Sequence, residues 1–302
     1  MSSIDLPIVL PSELAQKTEK LYATGLPRGD LTGFDNLNQF YTVGQSQWTA
    51  ITGYPGSGKS EFLDAMMVNL ARSYGWKFAV FSPENYPHEL HVSKLAEKWV
   101  GKPFGVGPTE RMTPGEMAEA VEWVMDSFIF LDPHQKDYRS LLNAAVKFRS
   151  ASAKFGVVLD PWNALESLRP PSMSETDYIG NSLTEAVTWV RDHKLHLWIV
   201  AHPAKMFRDK GGERPVPTPY DIAGSANWFN KPDNIITVHR PDYDDNRVHV
   251  HVQKVRFKNL GRVGVAELLY HRVTGTYTDA PRVRDISEPI TAHKVERDLV
   301  SW

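Results

Sequence analysis

The sequence of 302 residues contains no cysteine. This absence excludes disulfide bonds, thiolate metal sites and cysteine nucleophiles, and it is compatible with a reducing compartment. Long apolar runs are also absent, since no segment approaches the ~18 uncharged residues of a membrane span. The opening residues, MSSIDLPIVLPSEL, have no basic start and only a brief apolar run. We therefore expect no secretory signal, no membrane segment and a cytoplasmic protein.

A strong charge of one sign is missing as well. The formal net charge is -2, which argues against a protein that coats nucleic acid with a broad basic face. It does not exclude a ring around a single strand, because several subunits then contribute a few donors each to the same phosphates. The length permits either two average domains or one large α/β domain with a short extension.

Short apolar strands alternate with amphipathic helices over most of the sequence, which predicts an α/β fold with a mainly parallel sheet flanked by helices. The predicted strands are 48–52, 77–81, 128–131, 156–160, 196–201 and 234–238. The predicted helices are 12–24, 61–74, 87–99, one that begins at Thr113, 138–154 and 175–193. The segments 247–257, 265–271 and 274–278 alternate with period two, so we expect antiparallel strands to complete the sheet.

The segment GYPGSGKS fits the phosphate-loop pattern G-x-x-x-x-G-K-[ST] and lies between a predicted strand and a predicted helix. In such a loop consecutive backbone amides point at the phosphates, Lys59 reaches the terminal phosphates, and Ser60 binds Mg²⁺. The predicted nucleotide-binding residues here are Gly53, Pro55, Gly56, Ser57, Gly58, Lys59 and Ser60. The flanking elements outweigh the alternative of a glycine-rich turn, so we predict ATP or another nucleoside triphosphate with Mg²⁺.

Three polar residues follow other predicted strands at the same edge of the sheet. Asp160 can hold the magnesium ion with its water shell, Glu84 can orient and deprotonate the attacking water, and His202 can sense the γ-phosphate. The phosphate-binding loop favours the magnesium role for Asp160 over a polar strand end. From the residue pattern alone, Glu84 is more ordinary as a loop residue or helix cap, and a lone histidine indicates little.

Lys254 and Arg256 alternate on a predicted strand, so their side chains point to the same side about 7 Å apart. Two cations side by side have two explanations. One is an acidic partner on the same chain, and the other is the γ-phosphate bound by a neighbouring subunit, as for an arginine finger. The pattern alone favours the salt bridge.

Two histidine pairs have spacings that permit metal binding. His249 and His251 alternate on one predicted strand, and His88 and His91 lie one helical turn apart. No third ligand is evident for either pair, so we interpret them as surface residues and expect no metal there.

Six segments in this order resemble the helicase motor of the Twinkle and phage primase-helicase group, and more distantly DnaB. They are GYPGSGKS, SPEN, VVLDPWN, WIVAHPAK, DIAGSANWFNKPDN and QKVRFKNLGRVG, within roughly Thr32 to Tyr277. Several motifs in the right order are far more specific than a phosphate loop alone. The resemblance implies a RecA-like P-loop NTPase that forms a hexameric ring, hydrolyses nucleotide at subunit interfaces, translocates on single-stranded DNA and unwinds the duplex.

Position by position, the resemblance makes Glu84 the catalytic glutamate, Asp160 the second magnesium residue and His202 the phosphate sensor. Arg256 becomes the arginine finger, and Lys254 assists it from the adjacent subunit, which reverses the preference for a salt bridge. Arg240 and Tyr270 match positions that sandwich the nucleotide base in the phage enzymes, a role that suits a guanidinium and a phenol ring.

The segment DIAGSANWFNK matches the loop that faces the central channel of the ring. The predicted DNA contacts are Gly224, Ser225, Ala226, Asn227 and Lys231. Lys231 is the cation of this segment, which also contains Trp228 and Phe229, so we expect backbone amides and aromatic stacking to hold the strand more than charge.

We predict three regions: an arm over 1–31 whose helix docks on a neighbouring subunit, a RecA-like ATPase domain over 32–280, and a tail over 281–302. Larger members of the family carry an amino-terminal primase domain, whereas about thirty residues precede the motor here. We therefore expect a helicase-only version or a trimmed product of a longer gene, with a separate primase, polymerase or loader, in a bacterial or phage-infected cell. The alternatives are a RecA-like DNA-dependent ATPase or recombinase, and a nucleotide-gated ring that remodels partners without unwinding.

Overall fold

The computed structural model describes residues 11–135, 137–149, 153–165, 169–204, 215–222, 224 and 226–281. Nine strands within this part of the chain form one sheet in the order β3-β2-β4-β5-β1-β6-β7-β8-β9. The strands are β1 Gln47–Thr52, β2 Lys77–Phe81, β3 Phe128–Phe130, β4 Phe155–Leu159, β5 His196–Val200, β6 Asn234–His239, β7 Arg247–Val255, β8 Gly264–His271 and β9 Thr276–Asp279. The helices are α1 Pro11–Thr24, α2 Asp35–Asn38, α3 Lys59–Tyr74, α4 His88–Val100, α5 Pro114–Ser127, α6 Tyr138–Lys147, α7 Glu175–His193 and α8 Asn227–Asn230.

Strands β1 to β6 pair in parallel, and β7, β8 and β9 pair antiparallel at one side of the sheet. Every residue of β1, β4, β5 and β6 is buried, as expected for parallel strands that are covered on both faces. Strand β7 instead alternates between buried and partly exposed residues over most of its length. The predicted α/β fold with a mainly parallel sheet and a carboxyl-terminal antiparallel part is confirmed.

Two apolar clusters lie on the two faces of the sheet. One contains Ile51 of β1 together with side chains of α3, α4 and α5, and the other contains Trp48 and Ala50 of β1 together with side chains of α6, α7 and α8. Adjacent residues of one strand thus serve opposite faces, because side chains alternate along a strand. The sheet is packed from both sides, and this fixes the positions of its strand ends.

Helix α6 is shorter than the predicted 138–154. It ends at Lys147, and residues 150–152 lie outside the described part of the chain. Lys154 lies instead where β2 and β4 begin, and there its carbonyl accepts from the amide of Lys77 at 2.9 Å and its ammonium lies 2.6 Å from Asp30. These long-range contacts override the local helical pattern. The predicted start of α5 is confirmed by a capping box that joins Thr113 and Glu116.

Helix α1 differs from the others because none of its residues is buried. Leu14, Leu21 and Tyr22 expose 49%, 40% and 92% of their surface. No residue in the part of the chain that the structure describes buries this apolar stripe fully, and docking of the helix on a neighbouring copy stays a prediction. In the described residues no helix combines the length and apolar character that crossing a bilayer requires.

Candidate nucleotide-binding site

The loop Gly53 to Ser60 joins the end of β1 to the start of α3. Gly53 cannot carry a side chain, because a Cβ there would lie 2.3 Å from the carbonyl oxygen of Val238 and the residue has φ of 149°. Lys59 is buried at the start of the helix, and its ammonium donates to the carbonyls of Gly53 at 3.0 Å and Tyr54 at 3.1 Å. The loop therefore wraps around a cation that can turn to phosphate.

Asp160 follows β4 and is almost fully buried. Burial raises the pKa of its carboxyl to about 6, while a hydrogen bond from Ser60 acts in the opposite direction. Burial also lowers the pKa of the Lys59 ammonium, partly offset by the charges of Asp160 and Glu84. Both groups are costly to keep charged, so a bound divalent cation and phosphate would relieve both. The carboxylate and hydroxyl are oxygen ligands of the kind Mg²⁺ prefers, so these residues fit the predicted ion.

Glu84 and His202 follow β2 and β5, and they meet across the same edge of the sheet. The Glu84 side chain is 62% exposed, and its Oε1 lies 3.9 Å from Nε2 of His202. Burial lowers the pKa of His202, and the charge of Lys59 adds to this effect. The backbone amide of His202 donates to Oδ1 of Asn163 at 3.3 Å. A water-accessible carboxylate and a neutral imidazole thus face the phosphate-binding loop.

A cleft of about 620 Å³ opens beside this group, and Arg240 and Tyr270 both line it. The guanidinium of Arg240 donates to the carbonyls of Tyr243 at 2.9 Å and Asp245 at 2.7 Å. Tyr270 packs on Tyr277 with ring centroids 5.0 Å apart. The structure brings the two predicted base-binding residues to one cleft, and the base sandwich itself stays a prediction.

Two further residues of the cleft were missed in the sequence. Glu61 and Lys94 line it, and their charged groups lie 3.0 Å apart. Lys98 reaches the same carboxylate at 2.5 Å. Lys94 and Lys98 are four residues apart on α4, and this spacing in the sequence indicates that both side chains lie on one face of the helix. The ion pairs join α4 to the first turn of α3, the helix that follows the phosphate-binding loop.

The interpretation of the histidine pairs as surface residues is wrong in part. His91 is 1% exposed and pairs with the buried Asp64 at 3.0 Å. His239 joins His249 and His251, with ring centroids 6.1 to 6.5 Å apart, so a third histidine is nearby after all. Among the described residues no group of three potential ligands is arranged to hold a metal ion.

Lys254 and Arg256 lie at the other end of the sheet. Nε of Arg256 lies 3.1 Å from Oδ1 of Asp233, so the chain does contain the acidic partner that the pattern favoured. Asp233 forms hydrogen bonds with the backbone of Trp48 near the start of β1. The phosphate-binding loop follows the other end of that strand. The two sites are separated by about 16 Å at the usual strand rise of about 3.3 Å per residue. Neither cation reaches the cleft of its own chain.

The predicted DNA-binding segment forms a turn and the short helix α8. Ser225 lies outside the described residues, Gly224 has φ of 93° and Ala226 is exposed. Asn227 donates to the carbonyl of Thr176 at 3.4 Å. Lys231 donates to the hydroxyl of Thr184 at 2.8 Å, so α7 holds its ammonium.

The expected stacking by Trp228 is wrong. Its side chain is fully buried and packs edge-on against Trp48 and Trp162 at 6.3 and 5.8 Å. The apolar cluster between the sheet and α7 captures this ring, because burying a large aromatic side chain is worth several kcal/mol. Phe229 is partly exposed and stacks on Tyr220 at 4.6 Å. Trp228 therefore anchors the loop and offers no exposed ring for stacking.

No protein-family model matches the sequence. The chain is 39% identical over 265 residues to the Twinkle homolog protein, chloroplastic/mitochondrial, of Arabidopsis thaliana. The alignment covers 84% of this chain and 37% of the relative, so the chain spans little more than a third of that protein's length. The sequence resemblance to the Twinkle group is confirmed.

Solved structures show the same fold. One solved ATPase domain has a TM-score of 0.74 at 16% identity, with 89% of this chain and 98% of that chain covered. A DnaB-like replicative helicase, whose structure addresses its interactions with primase, has a TM-score of 0.74 at 17% identity, with 91% and 69% covered. The RadB recombinase has a TM-score of 0.55 at 15% identity, with 83% and 99% covered. The predicted RecA-like ATPase fold is confirmed.

Proposed function

We propose that this chain, a relative of the Twinkle homolog with a RecA-like fold, is the ATP-driven motor of a replicative DNA helicase. One observation carries the proposal: residues after four different strands converge on one cleft. These are Lys59 and Ser60 after β1, Glu84 after β2, Asp160 after β4 and His202 after β5. Phosphate binding, magnesium binding, proton acceptance and sensing are thus available within a few ångströms of one another.

In the proposed hydrolysis the backbone amides of the loop and Lys59 hold the β- and γ-phosphates. Ser60 and Asp160 hold Mg²⁺, which supplies positive charge to the phosphate oxygens when bound. Glu84 orients a water molecule and accepts its proton as the oxygen of that water bonds to the γ-phosphorus and the bond to ADP breaks. His202 then senses the loss of the γ-phosphate.

The remaining charge comes from a second copy. Arg256 points away from its own cleft, so it serves as an arginine finger only across an interface between copies, with Lys254 beside it. A ring closes such head-to-tail contacts, and we propose a hexamer whose exposed helix α1 docks on the next subunit. Single-stranded DNA passes through the ring against the turn around Gly224 and Asn227, whose polar groups contact the sugar-phosphate backbone without reading the bases.

Further partners follow from this proposal. A primase, a polymerase or a loader acts with this motor at the replication fork. We propose the cytoplasm of a bacterial or phage-infected cell as its location.

Arg240 and Tyr270 sandwich the nucleotide base.

The test measures ATP hydrolysis with and without single-stranded DNA, together with particle mass in Mg²⁺ and ATP. We expect strong stimulation by a ring of about six subunits, and separation of a forked duplex that requires ATP hydrolysis. Lys59→Ala is the control for hydrolysis by this site. Filaments that exchange strands instead of unwinding them would identify a recombinase, and a DNA-insensitive monomer would identify a nucleotide-gated switch.

A further inference from the structure

Asp233 occupies an unusual position directly before β6. Its carboxylate is 2% exposed, and Oδ2 accepts from the backbone amide of Trp48 at 3.2 Å. Its own amide donates to the carbonyl of Trp48 at 3.1 Å, and its carbonyl accepts from the amide of Arg256 at 2.9 Å. The residue is thus fastened to β1 on one side and to the chain after β7 on the other, so its carboxylate cannot move independently of the sheet.

Arg256 is the nearer of two cations at this carboxylate, since Nη2 of Arg191 lies 3.9 Å from the same Oδ1. Nε of Arg256 lies 3.1 Å from Oδ1, and its side chain is 37% exposed. A buried carboxylate is costly unless it is paired, so Asp233 needs this partner. The contact is an ion pair, since Oδ1 accepts no hydrogen bond, and with Nε against the carboxylate the planar guanidinium extends Nη2 to the end of α8.

One terminal nitrogen of Arg256, Nη2, contacts the end of α8. Nη2 of Arg256 lies 3.3 Å from the carbonyl oxygen of Asn230 and 3.4 Å from that of Lys231. The ammonium of Lys254 donates to the carbonyl of Phe229 at 2.7 Å and to that of Asn230 at 3.2 Å. Both candidate finger cations therefore hold the helix that follows the channel turn.

We propose that Asp233 is a positioning residue: it holds the guanidinium of Arg256 in the orientation from which its terminal nitrogens reach the nucleotide of the neighbouring copy. This inference rests on the proposed function. The carbonyls at the end of α8 occupy Nη2 in the single chain, so engagement of the neighbour's phosphate by this nitrogen releases them. The nucleotide of one copy is thereby linked to the channel turn of the next.

The test is Asp233→Asn, which keeps an oxygen acceptor for the amide of Trp48 and removes the charge that orients Arg256. A displaced catalytic group costs about 10²-fold in rate, so we expect kcat for ATP to fall by about that factor while the Kd for Mg·ADP stays unchanged. Asp126→Asn is the matched control, because Asp126 is 73% exposed and lies on α5. If Asp233→Asn does not fold, Asp233→Glu keeps the charge but moves it by one methylene, and we expect a fall of about 10-fold.

Mixing experiments separate positioning from general damage to the fold. Subunits with Asp233→Asn retain an intact phosphate-binding loop, and subunits with Lys59→Ala retain an intact Arg256 and Asp233. We expect the mixture to regain hydrolysis that neither variant has alone, because the finger acts on the neighbouring copy. A purely structural role predicts no recovery, and that result would overturn the inference.

Arg256→Ala distinguishes failure of this inference from failure of the proposed function. If Arg256→Ala hydrolyses ATP normally, there is no finger and the proposed function itself fails. If Arg256→Ala is inactive but Asp233→Asn retains full kcat, only the positioning role of Asp233 is wrong.

Discussion

The two ends of strand β1 carry different arrangements of charge. At its carboxyl end Lys59 and Asp160 are buried, and the pKa of each is shifted toward the neutral form by burial. At its amino end burial also raises the pKa of Asp233, but the charges of Arg256 and Arg191 oppose this shift, and the guanidinium of Arg256 stays partly exposed. The first end requires a ligand to complete its charges, whereas the second presents a compensated cation outward. In the proposed function, these two ends on two copies of the chain together form one nucleotide site.

The strongest way to break this comparison is Arg256→Ala. We expect ATP hydrolysis to fall by ~10³ or more, with the Kd for Mg·ADP retained because the side chain lies far from its own cleft. Steady-state hydrolysis and equilibrium binding check this. Arg247→Ala is the matched control, since Arg247 lies at the opposite end of β7 in an exposed pair with Glu267 at 3.1 Å. Lost Mg·ADP binding in Arg256→Ala would place the residue in its own chain's site.

Glu84→Gln tests the nucleotide site at the carboxyl end of β1. Removing the proton acceptor should lower kcat by roughly 10²- to 10³-fold, with Mg·ATP still bound, as a single-turnover measurement would show. Glu89→Gln is the control, because Glu89 is exposed on the neighbouring helix α4. Equal rates for the two variants would remove Glu84 from the reaction.

The pH dependence of hydrolysis tests the role of Asp160. Its pKa of about 6 lies above the usual value, so the carboxylate costs folding stability above pH 6 and protonation removes that cost as the pH falls. Magnesium binding requires the charged form, so kcat/KM for Mg·ATP should fall about 10-fold per pH unit below about pH 6. Burial lowers the pKa of His202, so this histidine could also titrate on the acidic side. His202→Gln removes that titration, and we expect the acidic limb to remain in the variant because Asp160 causes it. Asp160→Asn should be slow and flat across the range, and an unchanged acidic limb in it would contradict the assignment.

The smallest expected effect belongs to the channel turn. Replacing Asn227 and Lys231 by alanine should lower DNA-stimulated turnover several-fold, since about one net polar contact to a strand is lost per residue, and it should lower basal turnover less. Turnover is measured at saturating ATP over a range of single-stranded DNA. Lys258→Ala, an exposed lysine after β7, is the control. Equal losses with and without DNA would show that the turn acts through the fold alone.

The nucleotide site at the carboxyl ends of the strands could be predicted from the sequence, because its assembly follows from local patterns. Apolar runs identify parallel strands, their carboxyl ends share one edge, and the polar residue after each strand must therefore lie near the others. The other end could not be predicted in the same way. Asp233 and Arg256 are brought together by the pairing of β6 with β7, and no local pattern joins them. Trp228 was misassigned because its burial depends on Trp48 and Trp162, which are distant in sequence.

The division of the site between copies is tested most directly by mixing Lys59→Ala chains with Arg256→Ala chains and measuring ATP hydrolysis. Each variant alone should be inactive, since one lacks the phosphate-binding cation and the other lacks the finger. In the mixture, an intact loop of one chain meets an intact Arg256 of the next, and hydrolysis should reappear. A mixture as inactive as its components, with particles of the same mass as the unmodified protein, would contradict the account.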